Sequence, residues 1–246
     1  MTDKDNLPVN WEEKMASYAV AQASLYTAPV QPISLRGGMM SMDGTPVPNN
    51  TLECIVVASV FENAYFEDDY DPENIVPPTC YAHAPTKEGG MIPAENVVTP
   101  INDVCAGCEM AEWGSASGNS RGKACKEKVK LALIPADTSP DKVASADIAL
   151  LSLPVMSVKN WSKHVNVLAA KYHRPPWGMN TIIKVVPDAK SQFRVTFEEG
   201  APLDQEMLGP IHERIDACQE VLLQPYDYSG NEEKEPAKPI KGSKKR

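Results

Sequence analysis

Apolar residues in this chain fall in short runs and alternations more often than in long helical stripes. The run Leu52–Val60, LECIVVASV, is too continuous for a solvated surface and predicts a buried strand. Val129–Pro135, VKLALIP, predicts a second. Asn180–Val186 and Gln192–Phe197, joined through Pro187-Asp-Ala-Lys190, predict a β-hairpin. In its second strand Phe193, Val195 and Phe197 share one face while Arg194 and Thr196 share the other, so the pattern favours a core position for Phe193. Ile33–Arg36 and the Gly37-Gly38 pair predict an extended piece and a kink. Helical spacing appears four times. Asn10 caps a stretch to about Leu25, with Trp11, Met15, Tyr18 and Leu25 on a stripe that Gln22 interrupts. Asp141–Leu151 reads as helical. Ser157 caps a helix to about Tyr172, with Val158, Trp161, Val165 and Leu168 on one face, closed by Pro175-Pro176. A last helix covers roughly Asp204–Leu223, with a break expected near Gly209-Pro210.

The pattern adds up to an α+β protein: an antiparallel sheet or small barrel with peripheral helices. Three parts are expected: a helical segment 1–28, a β-rich domain 29–225 and a tail 226–246. After Tyr228 the tail holds almost no apolar residue and reads as disordered.

Four cysteines change the picture in the middle of the chain. Cys105-Ala-Gly-Cys108 is a C-x2-C knuckle, with 24 residues between it and Cys80 and sixteen between it and Cys125. A tetrahedral zinc ion takes four soft ligands, and a tight C-x2-C turn supplies two at the right separation. Gly107 sits where that turn needs positive φ. The expectation is a Cys₄ zinc site stapling an insertion at about 80–130, with His83 as the competing fourth ligand in place of Cys80. Buried free thiols fit less well, because Gly, Ser and Lys surround Cys105, Cys108 and Cys125. Disulfides fit poorly too. The polar start MTDKDNLPVNWEEK is no signal peptide, and no apolar run is long enough to span a bilayer, so a reducing cytoplasm is expected. Cys54 and Cys218 lie in apolar patterns and are expected in the core.

A closed Cys₄ site has no open coordination position and cannot activate water, so it points to folding or binding rather than catalysis. Other enzymatic signals are weak. Gly118–Ala124 is one residue short of a phosphate-binding loop and has Ala124 where a hydroxyl is needed. Gly114–Gly118 resembles a nucleophile elbow but has Ala116 at its centre. Asp68, Asp69, Asp71 and Glu73 lack the glycine of a calcium loop. His164, His173 and His212 lie apart. No catalytic constellation emerges, and the chain reads as a non-enzyme.

The net charge of −9 argues against a nucleic-acid partner only until its distribution is read. Residues 1–79 hold 3 basic and 12 acidic side chains, and the remainder is neutral. Within that remainder, Arg121, Lys123, Lys126, Lys128 and Lys130 oppose Glu127 alone, and seven basic residues from Lys159 to Arg194 oppose Asp188 and Glu198. Local fields of this kind suit a polyanion. Trp113 among Gly and Ser is a candidate stacking platform, or else a lid over the metal. Lys184, Phe193 and Arg194 offer a second contact surface.

The segments Cys105–Ala116 and Gly122–Lys126 resemble a family of phage-encoded proteins. Tyr65–Pro72, Pro77–Tyr81 and Val186–Val195 resemble the same family, in the same order and spacing, over roughly residues 30–200. The group looks like zinc-containing single-stranded DNA-binding proteins of phage replication, built on an oligonucleotide-binding (OB) barrel. The resemblance implies non-specific coating of unpaired DNA during replication and recombination, with replication or recombination proteins as possible partners and the host cytoplasm as location. Family members often end in an acidic recruiting tail. Here Glu232, Glu233 and Glu235 are followed by Lys244-Lys-Arg246, which departs from that pattern. Two rival readings stay open: a divalent-metal nuclease using Asp68, Asp69 or Asp71, and a zinc-organised adaptor for another protein.

Overall fold

The computed structural model describes residues 11, 14, 15, 18, 30–68, 76–88, 90–117 and 121–228. One mixed, strongly curled sheet forms a half-barrel that dominates the molecule. Its strands are β1 (Val30–Ser34), β2 (Ser41–Met42), β3 (Thr45–Pro46), β4 (Thr51–Tyr65), β5 (Cys80–Ala84), β6 (Lys126–Pro135), β7 (Ile148–Leu153), β8 (Met179–Asp188) and β9 (Gln192–Pro202). The order across the sheet is β3-β2-β1-β7-β6-β4-β8-β9. β5 lies beside β4 beyond the end of β8, because β8 pairs with Thr51–Ile55 and β5 with Phe61–Tyr65. All pairings are antiparallel except β1 with β7.

β4 is long because its side chains satisfy both faces of the sheet. Cys54 and Val56 pack on one side with Val129, Leu131, Leu151, Ile183 and Val195. A bulge between Val56 and Ala58 shifts the alternation, and Ile55, Val57, Ala58 and Val60 pack on the other with Ala132 and Ile134. Each face is covered by one helix. Trp161 of α1 (Val155–Val167) closes the first core; Met207, Ile211, Cys218 and Leu222 of α2 (Gln205–Leu222) close the second. Cys54 and Cys218 are core residues, as expected. No described helix is long and apolar enough to cross a membrane.

Three sequence expectations fail here for physical reasons. Asp141–Leu151 is not a helix: a 3₁₀ turn at Pro140–Ser145 leads into strand β7. A continuous apolar run has no period that separates strand from helix, and pairing with β1 and β6 claims it. Ser157 does not cap α1, which begins at Val155; its buried Oγ instead accepts the Val195 N–H at 2.9 Å. The stretch 168–172 continues as a wider turn ending at His173, whose φ is 54°. Pro210 does not interrupt α2, because Met207, Ile211 and Cys218 bury on both sides of it and offset the lost hydrogen bond. The expected helix 10–25 lies outside the described residues, apart from Trp11, Lys14, Met15 and Tyr18, which are exposed. Residues 229–246 of the tail also lie outside them. Tyr226 and Tyr228 do not belong to a loose tail; they pack against Ala64, Tyr81 and Val97.

Candidate metal centre and nucleic-acid interface

Strand pairing brings the four cysteines of the middle segment together. Tyr65 of β4 sits opposite Cys80 of β5, and its neighbour Ala64 sits opposite Lys126, the residue after Cys125. Cys80 and Cys125 thus flank Tyr65 on strands either side of it, on the face that carries Asn63. The connection between β5 and β6 returns over this face. Cys105 N–H donates to Met91 O at 2.9 Å, Cys108 N–H to Cys105 O at 3.3 Å, and Cys125 N–H to Met110 O at 2.8 Å. Gly107 holds the knuckle turn with φ +75°, which an L side chain would strain. All four thiols line one cavity of about 20 Å³, with Asn63, Ile101 and Val104 in its walls. That is room for a single atom-sized occupant.

The electrostatics follow from the crowding. Burial first, then the neighbouring Cys80 and Cys108, push the Cys105 thiol up against an opposing hydrogen bond from Asn63. Burial, the other three thiols and Glu127 push Cys125 up to about 12. A divalent cation among these sulfurs would invert that balance and favour the thiolates. All six cysteines are free thiols. The donor set, four thiols lining one cavity, suits zinc. Zinc–sulfur bonds of about 2.3 Å place tetrahedral sulfurs about 3.8 Å apart. No group of three or more His, Cys, Asp or Glu among the described residues stands in ion-holding geometry. Strand pairing and the returning connection account for the convergence.

His83 does not compete with Cys80. The two are three apart in a strand, so they leave opposite faces of the sheet. His83 Nε2 lies 3.1 Å from Glu62 Oε1, in a buried network that the sequence did not advertise. Tyr226 donates its hydroxyl to the same oxygen at 2.5 Å, and its backbone N–H donates to the Tyr81 hydroxyl at 3.1 Å. Burial raises the Glu62 pKa, but hydrogen bonds from His83 and Tyr226 and the charges of Lys128 and Lys130 overcome it, bringing the carboxyl down to about 2. Burial and the Glu62 carboxylate hold the Tyr226 hydroxyl protonated, far above its ordinary range.

Beside the thiol cavity runs a groove of about 860 Å³. Tyr65, Phe66, Pro77, Pro78 and Tyr226 give it apolar and ring-bearing walls; Lys126 and Lys128 line it with Glu67, Asp68 and Asp227. Phe66 is 38% exposed, with Lys128 Nζ 5.6 Å from its ring centre. Trp113 is 80% exposed on the knuckle lobe, so it is no lid over the thiols; Lys123 Nζ lies 5.6 Å from its ring. Ser115 steadies that lobe, its Oγ donating to the carbonyls of Met110 and Glu112 and accepting the Ala124 N–H at 2.9 Å.

The expected contact residues divide. Arg121, Lys123, Lys126 and Lys128 gather with Trp113 around the lobe and groove, Arg121 and Lys126 being exposed. Lys123 and Lys87 share Glu127, at 2.5 and 3.0 Å. Lys130 stands apart: it is half-buried, donates to Leu222 O at 3.3 Å, caps the Tyr226 ring, and burial lowers its pKa. Lys184, Phe193 and Arg194 lie at the far end of the sheet. Lys184 pairs with Thr51 and Lys126 with Ala64, so about 40 Å of strand separates them at 3.3 Å per residue. Lys184 binds Glu198 at 2.6 Å, Arg194 approaches Asp188 at 3.7 Å, and Phe193 packs into the core beside Gly38. Of the acidic run, Asp68 lines the groove; Asp69, Asp71 and Glu73 lie outside the described residues, as do 118–120 of the loop-like motif.

Sequence reasoning missed Tyr65, Phe66 and Tyr226 as wall residues. The first two were visible as aromatics at a strand end; nothing local marked Tyr226. No family model, curated protein or solved structure matches this chain.

Proposed function

We propose that this protein binds single-stranded DNA without sequence preference, coating and protecting replication or recombination intermediates. The binding body is an OB-like barrel, and a structural Cys₄ zinc site at Cys80, Cys105, Cys108 and Cys125 braces its contact lobe. The observation that carries the reading is the groove beside the four thiols. Rings at Tyr65, Phe66 and Tyr226 meet ammonium groups at Lys126 and Lys128, with Trp113, Arg121 and Lys123 on the adjoining lobe. Sequence-tolerant binding needs these two ingredients: π-faces on which bases stack, at about 1–3 kcal/mol per base, and cations that track the phosphates. Glu67, Asp68 and Asp227 line the same groove and repel phosphate. The phosphates run along the lysine side and away from the carboxylates. The zinc contributes folding free energy to a loop with little core of its own, and performs no chemistry.

Fluorescence anisotropy of labelled oligo-dT, at two salt concentrations and with and without chelator, tests the proposal. Affinity falls with salt at a slope of about −0.7 per phosphate contacted, and falls again on chelation. Absence of binding at low salt refutes the reading, leaving the adaptor in its place. Magnesium-dependent cutting of the strand would instead favour the nuclease.

A further inference from the structure

The thiol cavity and the groove are built from shared residues: Tyr65 and Met110 line both. Covalent neighbours join them as well. Phe66 and Lys126, both groove residues, follow Tyr65 and the ligand candidate Cys125 directly. The Met110 carbonyl accepts hydrogen bonds from Cys125 N–H and from Ser115 Oγ, at 2.8 and 3.0 Å. A change in the positions of these sulfurs therefore moves the walls against which a strand would lie. The four thiols are partly accessible, whereas Cys54 and Cys218 are sealed in the core at 1% and 0% exposure. A small oxidant in water meets the former set and not the latter.

We infer that Cys105 and Cys108 form a peroxide-sensitive latch, whose oxidation releases the metal and opens the groove. The inference rests on the zinc-braced reading given above. The Cys108 N–H to Cys105 O bond closes a four-residue turn, which keeps the two Cα atoms within about 7 Å, inside disulfide range. Cys80 and Cys125 flank β4 and are two strand spacings apart, about 9.5 Å, outside that range without backbone movement. Of these two pairs, the knuckle pair is the one that can oxidise with the sheet intact. In the metal-bound state one hydrogen peroxide takes two electrons from the Cys105 and Cys108 thiolates. The S–S bond forms, the O–O bond breaks, and two protons from solvent complete two waters. Cys80 and Cys125 remain as the sole thiolate ligands, too few to hold the ion against solvent. The return over the sheet loses its anchor, and with it the positions of Met110, Trp113 and Lys126.

The test titrates hydrogen peroxide into the zinc-loaded full chain. Released zinc is followed with a chromogenic chelator, oligo-dT affinity by anisotropy, and disulfides by peptide mapping. Zinc release, a Cys105–Cys108 disulfide and a weakening of oligo-dT binding by about tenfold or more, the loss of at least one stacked base, are expected to rise together. Dithiothreitol with added zinc restores all three. Zinc released with oligo-dT affinity unchanged overturns the latch, as does a disulfide mapped to any other pair. If the untreated zinc-loaded protein fails to bind oligo-dT, the functional reading itself falls and the latch falls with it.

Discussion

Replacing Glu62 with Gln removes a buried carboxylate that three kinds of group hold ionised. His83 and Tyr226 bond its Oε1, and Lys128 and Lys130 supply positive potential from the next strand. Its pKa moves from the ordinary 4.5 to about 2, and at 1.36 kcal/mol per unit that is about 3 kcal/mol of stability at neutral pH. The folded value lies below the unfolded one, so the contribution is complete above pH 4.5 and is lost as pH falls from there through about 2. At pH 3 about half of it remains, roughly 1.5 kcal/mol. Urea unfolding of wild type and Glu62→Gln at pH 7 and pH 3 measures this directly. Titrating groups that do not touch Glu62 are common to both proteins and cancel in the difference. The wild-type advantage should be about 3 kcal/mol at pH 7 and narrow by roughly half at pH 3. An advantage that does not change with pH would refute the argument, since a neutral hydrogen-bond role for Glu62 gives no such slope.

Charge reversal at Lys126 and Lys128 together should weaken oligo-dT binding and make its salt slope shallower by about 1.4, two contacts at 0.7 each; reversal of Lys184 and Arg194 at the far end of the sheet should leave both nearly unchanged, as anisotropy at several salt concentrations will show. Trp113→Ala should cost about 1–3 kcal/mol of binding while moving the urea midpoint little, because the ring is 80% exposed. Ile211→Ala, at a fully buried position of α2, should lower stability by about 3 kcal/mol in urea titrations, the cost of a cavity under the sheet.

The sheet was legible where alternation or a long apolar run met turn residues. Leu52–Val60, Val129–Pro135 and the 180–197 hairpin all lie inside observed strands, β4, β6, β8 and β9. It was illegible where the apolar run carried no period, as in Ile148–Leu153, or where neighbours overrode a local signal, as at Ser157 and Pro210. The convergence of Cys125 with the Cys105–Cys108 knuckle was readable from the spacing of the cysteines. The choice between Cys80 and His83 was not, because it depends on strand parity: a strand at Cys80–Ala84 sends them to opposite faces. The groove was hidden for a different reason. Tyr226 reaches Glu62 across 164 residues of chain, a contact that follows from the path of α2 over the sheet and from no local pattern. Lys130 shows the converse. Its place in a basic run suggested a phosphate contact, and it shares a face of β6 with Lys126 and Lys128, but it stands further along the strand, under Tyr226 and toward the end of α2.

The account stands most directly on the metal content of the purified protein, measured by elemental analysis on wild type, Cys125→Ser and His83→Ala. It predicts one zinc per chain in wild type and His83→Ala, and its loss in Cys125→Ser. A wild-type protein without zinc, or a zinc that survives the loss of Cys125 and departs with His83, would contradict it.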